Sequence, residues 1–289
     1  MQQSVTLGQK FKGALQLFRP ELPLAAGLCV VIGQVVALGH LPALSLVGLG
    51  FGCGFLLSAS ALITNDYFDR EVDCINAPQR PLPSGLLTPF EVMALGLATA
   101  LLGLGAAWIL GPVAFGVSVL IWLLGFAYNA KFKATGLWGN LMVSTSVGST
   151  FLLGGISVGQ FWHPAIWLLA GITFCFDLAE EIAGDAMDAE GDQYLGSRSL
   201  ALIYGRATAL RVAAVLFGVV VVVTLLVVVL GNLLLQQVLT ILVTNLLIIF
   251  FVVRLLRSQT PADGRQAMRG LYLSGSLGLL GFLLAMVFV

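Results

Sequence analysis

The chain has 289 residues, 58% of them hydrophobic and only 10% charged, and its 14 basic and 14 acidic side chains give a formal net charge of zero. A soluble domain carries about 25% charged residues, so the composition excludes an ordinary soluble globular protein. The charge balance gives no reason to expect a nucleic-acid partner. Apolar runs of roughly 20 residues, the length that crosses a bilayer, identify an integral membrane protein surrounded by lipid.

Residues 1–20, with Lys10, Lys12 and Arg19, read as an interfacial membrane-surface segment. No small-residue cleavage site follows, so no cleavable signal peptide is expected. Nine spans are predicted, at about 21–39, 43–65, 90–110, 113–129, 137–159, 165–182, 207–230, 234–256 and 268–289. They form one all-α bundle around a central cavity, a single domain over 1–289. The Lys and Arg residues fall before the first span and around the links after the second, fourth, sixth and eighth. The links near His40, Gly111, His163 and 231–237 hold no charge. By the positive-inside rule the charged face is cytoplasmic. The N-terminus then lies on the cytoplasmic side of a cell membrane and the C-terminus on the opposite side. Cys29, Cys53, Cys74 and Cys175 have the spacing of neither a disulfide framework nor a zinc site, and at least three of them read as small apolar residues.

Two acidic segments, residues 65–85 and 184–200, are expected as loops on that charged face. In the first, Asn65, Asp69 and Asp73 are spaced i, i+4, i+8, which aligns them on one face of a helix. Asp66, Asp69 and Asp73 have the spacing D-x-x-D-x-x-x-D. Asp185, Asp188 and Asp192 repeat it at one constant offset, and Arg80 and Arg198 follow the two triads. The second and sixth spans run in the same direction, so the repeat has parallel topology. It places two acid-bearing helix ends at the same depth, facing each other across one site. One membrane acid is readily a packing residue or a cap. Four acids at fixed spacings, Asp69, Asp73, Asp188 and Asp192, are not explained that way. Asp66 and Asp185 also read as loop or first-turn acids, and Arg80 as a headgroup anchor. Asp177, inside the sixth span, needs a polar partner or faces a pocket. His40 and His163 lie in the opposite turns and receive no catalytic role. Glu71 and Glu91 read as solvated, and Lys133, Arg206, Arg211, Arg254, Arg257, Arg265 and Arg269 as topology charges.

Magnesium takes oxygen ligands and binds through one or two carboxylates plus substrate phosphates. Paired acid triads beside a long apolar groove therefore suit a prenyl diphosphate. The metal neutralises the departing diphosphate, and Arg80, Lys131, Lys133, Arg198 and Arg19 are candidates to hold it. Tyr67, Phe68 and Tyr128 are candidates to steady an allylic cation through their ring faces.

On these residues the chain resembles the UbiA superfamily of intramembrane prenyltransferases over nearly its full length. Asn65-Asp66-x-x-Asp69-x-x-x-Asp73 is similar to the first family motif, and Asp188-x-x-x-Asp192, with Asp185 one turn before, to the second. Arg80-Pro-Leu-Pro-Ser-Gly85, Tyr128-Asn-Ala-Lys131 and Arg19-Pro20 resemble further family segments. The resemblance implies Mg²⁺-dependent prenyl transfer from a prenyl diphosphate to a lipophilic acceptor. Asn65, Asp69, Asp73, Asp188 and Asp192 would bind metal–diphosphate, and Arg80, Lys131 and Arg19 would contact the diphosphate. Glu181-Ile-x-x-Asp185-x-x-Asp188-x-Glu190-Gly191-Asp192 resembles the branch acting on geranylgeranylglyceryl phosphate. Glu190-Gly191-Asp192, Gly196-x-Arg198-Ser199-Leu200 and Trp138-Gly139-Asn140 also resemble the chlorophyll-synthase branch. Glu180 and Gly184 stand where the lipid branch often has basic residues, which keeps chlorophyllide and quinone-precursor acceptors open. A membrane terpene cyclase would use the same acids. An ion-coupled transporter would place its acids near the midplane, usually on inverted repeats.

Overall fold

The structure, a computed structural model, describes residues 6–194 and 196–288, apart from the side chains of residues 75, 76, 190–192 and 194. The described chain is helical and divides into two compact units. One comprises Met1–Val31 with Ala43–Ala130, the other Ile32–Pro42 with Lys131–Val289.

The first unit opens with α1, Leu7–Phe18. Thr6 caps it, accepting from the Gln9 N–H at 3.3 Å, while Gln9 Oε1 accepts from the Thr6 N–H at 2.8 Å. Leu7, Phe11 and Leu15 form an exposed apolar stripe at i, i+4, i+8, as an interfacial helix requires. Gly13 faces Leu86, Leu87 and Pro81 on the buried side. Lys10 pairs with Glu91 at 2.5 Å, and Glu91 also closes the capping box of Thr88. Glu91 is thus a helix-start residue, where solvation alone was expected. The N-terminal part of α2 (Glu21–Leu38) packs against α3 (Leu44–Phe68). A Cβ on Gly54 would lie 2.9 Å from the Ala26 carbonyl oxygen, so only glycine permits this approach. Then come α4 (Arg70–Asn76), α5 (Pro89–Leu110) and α6 (Pro112–Ala127), and a π-helical turn at Tyr128–Phe132.

The second unit holds the end of α2 with α7 (Leu137–Ser157), α8 (Pro164–Tyr194), the short α9 (Leu200–Tyr204), α10 (Arg206–Leu230), α11 (Leu235–Arg257) and α12 (Pro261–Val287). Its core is Ile182, Phe217, Leu255 and Leu271 with their small neighbours. Gly148 lets α7 approach α8, where a Cβ would sit 2.7 Å from the Ala170 carbonyl oxygen.

Helices occur at all nine expected places, and seven are long and apolar enough to cross a membrane. The exceptions are α7, diluted by Asn140 and a run of Ser and Thr, and α8, which carries Asp177, Glu180 and Glu181 in its apolar part. By length and composition, seven helices among the described residues read as spans. Large outward side chains such as Val222, Val229, Leu246 and Phe250 are exposed, as a lipid-facing surface requires.

Two boundaries differ from expectation. The sixth span was expected to end near Ile182, with a loop from 184. Instead α8 stays helical to Tyr194, because Ala, Glu and Met favour helix and no proline intervenes. The ninth span starts at Pro261 rather than 268. Thr260 caps it, accepting from the Asp263 N–H at 3.1 Å, with proline in the first turn.

Candidate active site

The first acidic segment straddles a helix break. α3 ends at Phe68, and Asp69 takes φ −82°, ψ 1° before α4 begins. The expected single row of Asn65, Asp69 and Asp73 is therefore shared by two helices. Its register survives through two backbone bonds, Asp69 N–H to Asn65 O at 2.9 Å and Asp73 N–H to Asp69 O at 2.8 Å. Asp66 and Asp73 are only 2% and 5% exposed, and a buried carboxylate needs a cation or donors. Arginines provide them. Arg19 donates to Asp66. Arg80 Nη1 donates to both oxygens of Asp73 at 2.6 Å and stands 3.5 Å from Asp66 Oδ1. Partial burial works against the Arg80 charge. The Asp73 hydrogen bond and the charges of Asp73, Asp66 and Asp69 outweigh it, so the Arg80 pKa is raised. Arg19 reaches its partner from a left-handed backbone, φ 38°, unique among the described non-glycine residues.

Asn129, which the sequence did not single out, orients Asn65. It accepts from Asn65 Nδ2 at 3.1 Å and donates to Ala61 O and Thr64 Oγ1 at 3.0 and 3.3 Å. The Asn65 amide nitrogen is thus engaged by Asn129. Beside these groups runs a chain of rings, Tyr67–Phe68 at 5.4 Å, Phe68–Phe126 at 5.5 Å and Trp122–Phe126 at 5.9 Å. Arg70 already lies 5.0 Å above the Tyr67 ring, so one face of that candidate is taken. Tyr128 is half-buried in the π-helical turn, and Lys131 is exposed. Such turns recur at functional sites.

In the second unit, Asp177, Glu181, Asp185, Asp188 and Asp192 follow one another along α8 at steps of three or four residues. Each step returns to the same helix face. Ser144 Oγ donates to Asp177 at 2.8 Å, and Asn140 Nδ2 to Asp185 at 2.9 Å. The polar residues that keep α7 from reading as a plain apolar span are thus the partners of the acids on α8. Arg265 Nη2 donates to Asp188 at 2.6 Å, with both side chains 59% exposed. The side chain of Asp192 lies outside the described residues. Arg198 is exposed, and its backbone N–H bonds Ala134 O at 3.0 Å. Two arginines expected as topology charges have specific roles. Arg265 reaches Asp188, and Arg206 fastens the start of α10 to Ser258 at 2.9 and 2.7 Å. Neither is signalled by a local motif. Asn129 and Asn140, by contrast, lie inside quoted segments.

Ser144→Ala leaves Asp177 without its hydroxyl donor. It is expected to lower stability by about 1 kcal/mol, read as a lower unfolding temperature in detergent. Asp177→Asn, which needs no charge compensation, should cost less. The opposite ranking would show that Ser144 does not hold Asp177.

Among the described residues no group of three or more His, Cys, Asp or Glu side chains stands ready to hold a metal. Magnesium does not require one, because it binds through one or two carboxylates plus phosphates and water. Asp66 and Asp73 converge on one guanidinium nitrogen, so two carboxylates already address a single cation. This all-oxygen set fits magnesium.

Residues 26–287 match the profile of the UbiA prenyltransferase family. The chain belongs to that family. It is therefore a membrane prenyltransferase, as its acidic segments imply. A digeranylgeranylglyceryl phosphate synthase of Methanopyrus kandleri is 38% identical over 201 residues, 70% of this UbiA chain and 73% of that one. A solved structure that concerns digeranylgeranylglyceryl phosphate synthase in membranes superposes with TM-score 0.76 at 26% identity, covering 97% of this chain and 99% of the other. A UbiA homologue from Archaeoglobus fulgidus bound to GPP and Mg²⁺ shares the fold at 19% identity, with TM-score 0.71 and coverage of 95% and 99%.

Proposed function

We propose that this UbiA enzyme transfers a prenyl group from a prenyl diphosphate to geranylgeranylglyceryl phosphate, in ether-lipid synthesis. The observation that carries the acceptor is the similarity to digeranylgeranylglyceryl phosphate synthases across more than two thirds of the chain. In the reaction the allylic C–O bond breaks, and its electron pair leaves with the diphosphate. An acceptor oxygen forms the new C–O bond and gives up its proton. Bound magnesium supplies the charge that makes diphosphate a leaving group, as the GPP- and Mg²⁺-bound homologue supports. Asn65, Asp66, Asp69 and Asp73 on α3–α4, and Asp185, Asp188 and Asp192 on α8, are the proposed metal–diphosphate ligands. Arg19, Arg80, Lys131, Arg198 and Tyr128 are the proposed diphosphate contacts. The charge pattern along the chain supports nine spans in a cell membrane. In that arrangement the N-terminus and both acidic segments are cytoplasmic and the C-terminus lies outside.

Purified protein in detergent, given geranylgeranyl diphosphate and Mg²⁺, should prenylate geranylgeranylglyceryl phosphate but neither chlorophyllide nor hydroxylated aromatics. EDTA should remove all turnover, and added Mg²⁺ should restore it. Product only with an aromatic acceptor would overturn the lipid assignment. Cyclised hydrocarbon without acceptor would replace transfer by cyclisation. Turnover indifferent to EDTA would remove magnesium from the reaction.

A further inference from the structure

Three aspartates of the acidic segments carry an arginine. In the first unit Arg80 places one nitrogen 2.6 Å from both oxygens of Asp73 and 3.5 Å from Asp66, and Arg19 closes on Asp66. In the second unit Arg265 lies 2.6 Å from Asp188. A guanidinium and a magnesium ion both seek anionic oxygen. A metal therefore competes with Arg80 for both oxygens of Asp73 and with Arg265 for Oδ1 of Asp188. A withdrawn guanidinium has its donor fork unpaired, and its geometry suits a phosphate.

We propose that Arg80 and Arg265 occupy the metal positions of Asp73 and Asp188 in the metal-free enzyme. As magnesium enters, each arginine passes to a phosphate group, so at each aspartate metal and phosphate bind together and neither binds tightly alone. This rests on the reading of Asp73 and Asp188 as metal ligands, and it gives Arg265 a substrate-binding role. Such coupling is reciprocal. Removing an arginine therefore has effects of opposite sign. The bare metal gains affinity because its competitor is gone. The metal loses the help of the diphosphate because the anion's partner is gone. A merely structural arginine gives no such inversion.

The test is equilibrium dialysis of Mn²⁺ against full-length protein in detergent, with and without inorganic pyrophosphate. Wild type, Arg80→Gln, Arg265→Gln and Asp73→Asn are compared. Without pyrophosphate, Arg80→Gln should bind Mn²⁺ tighter than wild type by on the order of tenfold, the size of coupling between directly paired groups. Arg265→Gln should bind it about two- to fivefold tighter, because exposed pairs are weaker. Pyrophosphate should tighten Mn²⁺ binding in wild type and do so far less in both variants. The Arg265 pair is exposed, so Arg265→Gln decides the matter even if Arg80→Gln does not fold. If Arg265→Gln, or a folded Arg80→Gln, binds bare Mn²⁺ no tighter than wild type, the exchange is wrong. If Asp73→Asn leaves Mn²⁺ binding unchanged in the presence of pyrophosphate, the metal-ligand reading fails, and the exchange with it.

Discussion

Asp69→Ala, and separately Asp188→Ala, should abolish prenyl transfer while leaving the protein folded. The structure explains why folding survives. Asp69 sits at the break between α3 and α4, where its backbone N–H, not its side chain, continues the helix bonding. Asp188 is 59% exposed on α8, and its partner Arg265 is equally exposed. Neither Asp69 nor Asp188 is fully buried, so the unfolding temperature should move less than for the buried acids Asp66 and Asp73. The chemistry has no such tolerance. Diphosphate departure develops charge that must be met at the moment the C–O bond breaks. Losing one preorganised charge-stabilising group typically costs about 10²–10³ in rate. A fall of at least that size is expected for each variant under saturating Mg²⁺ and prenyl diphosphate, measured as diphosphate release. Near-normal turnover in either variant would falsify the requirement for both acidic segments. Asp66→Ala and Asp73→Ala should behave differently. Their carboxylates are buried against Arg19 and Arg80, so loss of rate should come with loss of stability.

The helix positions of the candidate acids were legible because the relevant signals are local. The D-x-x-D-x-x-x-D spacing, the arginine after each triad and the apolar runs each lie within a few dozen residues, and helical periodicity converts spacing into placement. What escaped depends on partners distant in sequence. Arg265 meets Asp188 across 77 residues, and Ser144 meets Asp177 across 33. No periodicity encodes either pairing. The extent of α8 was misread for a different reason. Acids from residue 184 on were taken as the mark of a loop, yet Ala186, Met187, Ala189 and Glu190 favour helix, and the chain stays helical through the acids to Tyr194. The same acids and the hydroxyls of α7 keep two helices from reading as plain apolar spans. Hydropathy therefore falls where acids and hydroxyls are densest.

Gly136→Ala should be the most damaging single-methyl change in the second unit. Gly136 has φ 66°, ψ −119°, a conformation that L side chains rarely adopt. A Cβ there would collide with the carbonyl group of Arg198 and come 2.8 Å from the Ser199 nitrogen. These neighbours are backbone atoms, so no side chain can rotate away. Residues 198–199 must move instead, breaking the Arg198 N–H to Ala134 O bond at 3.0 Å and disturbing Ser199, which caps α9. Strain alone is worth about 1–3 kcal/mol, and the lost bond and cap add to it. The unfolding temperature in detergent should therefore fall sharply. Turnover should fall as well, because the displaced stretch ends the second acidic segment and carries Arg198, a proposed diphosphate contact. The matched control is Gly218→Ala on α10, where an added methyl meets nothing within 4 Å. There alanine favours the helix by about 0.5–1 kcal/mol, and activity should not change. Equal behaviour of the two variants would show that the contact between Gly136 and residues 198–199 does not hold the end of the second acidic segment.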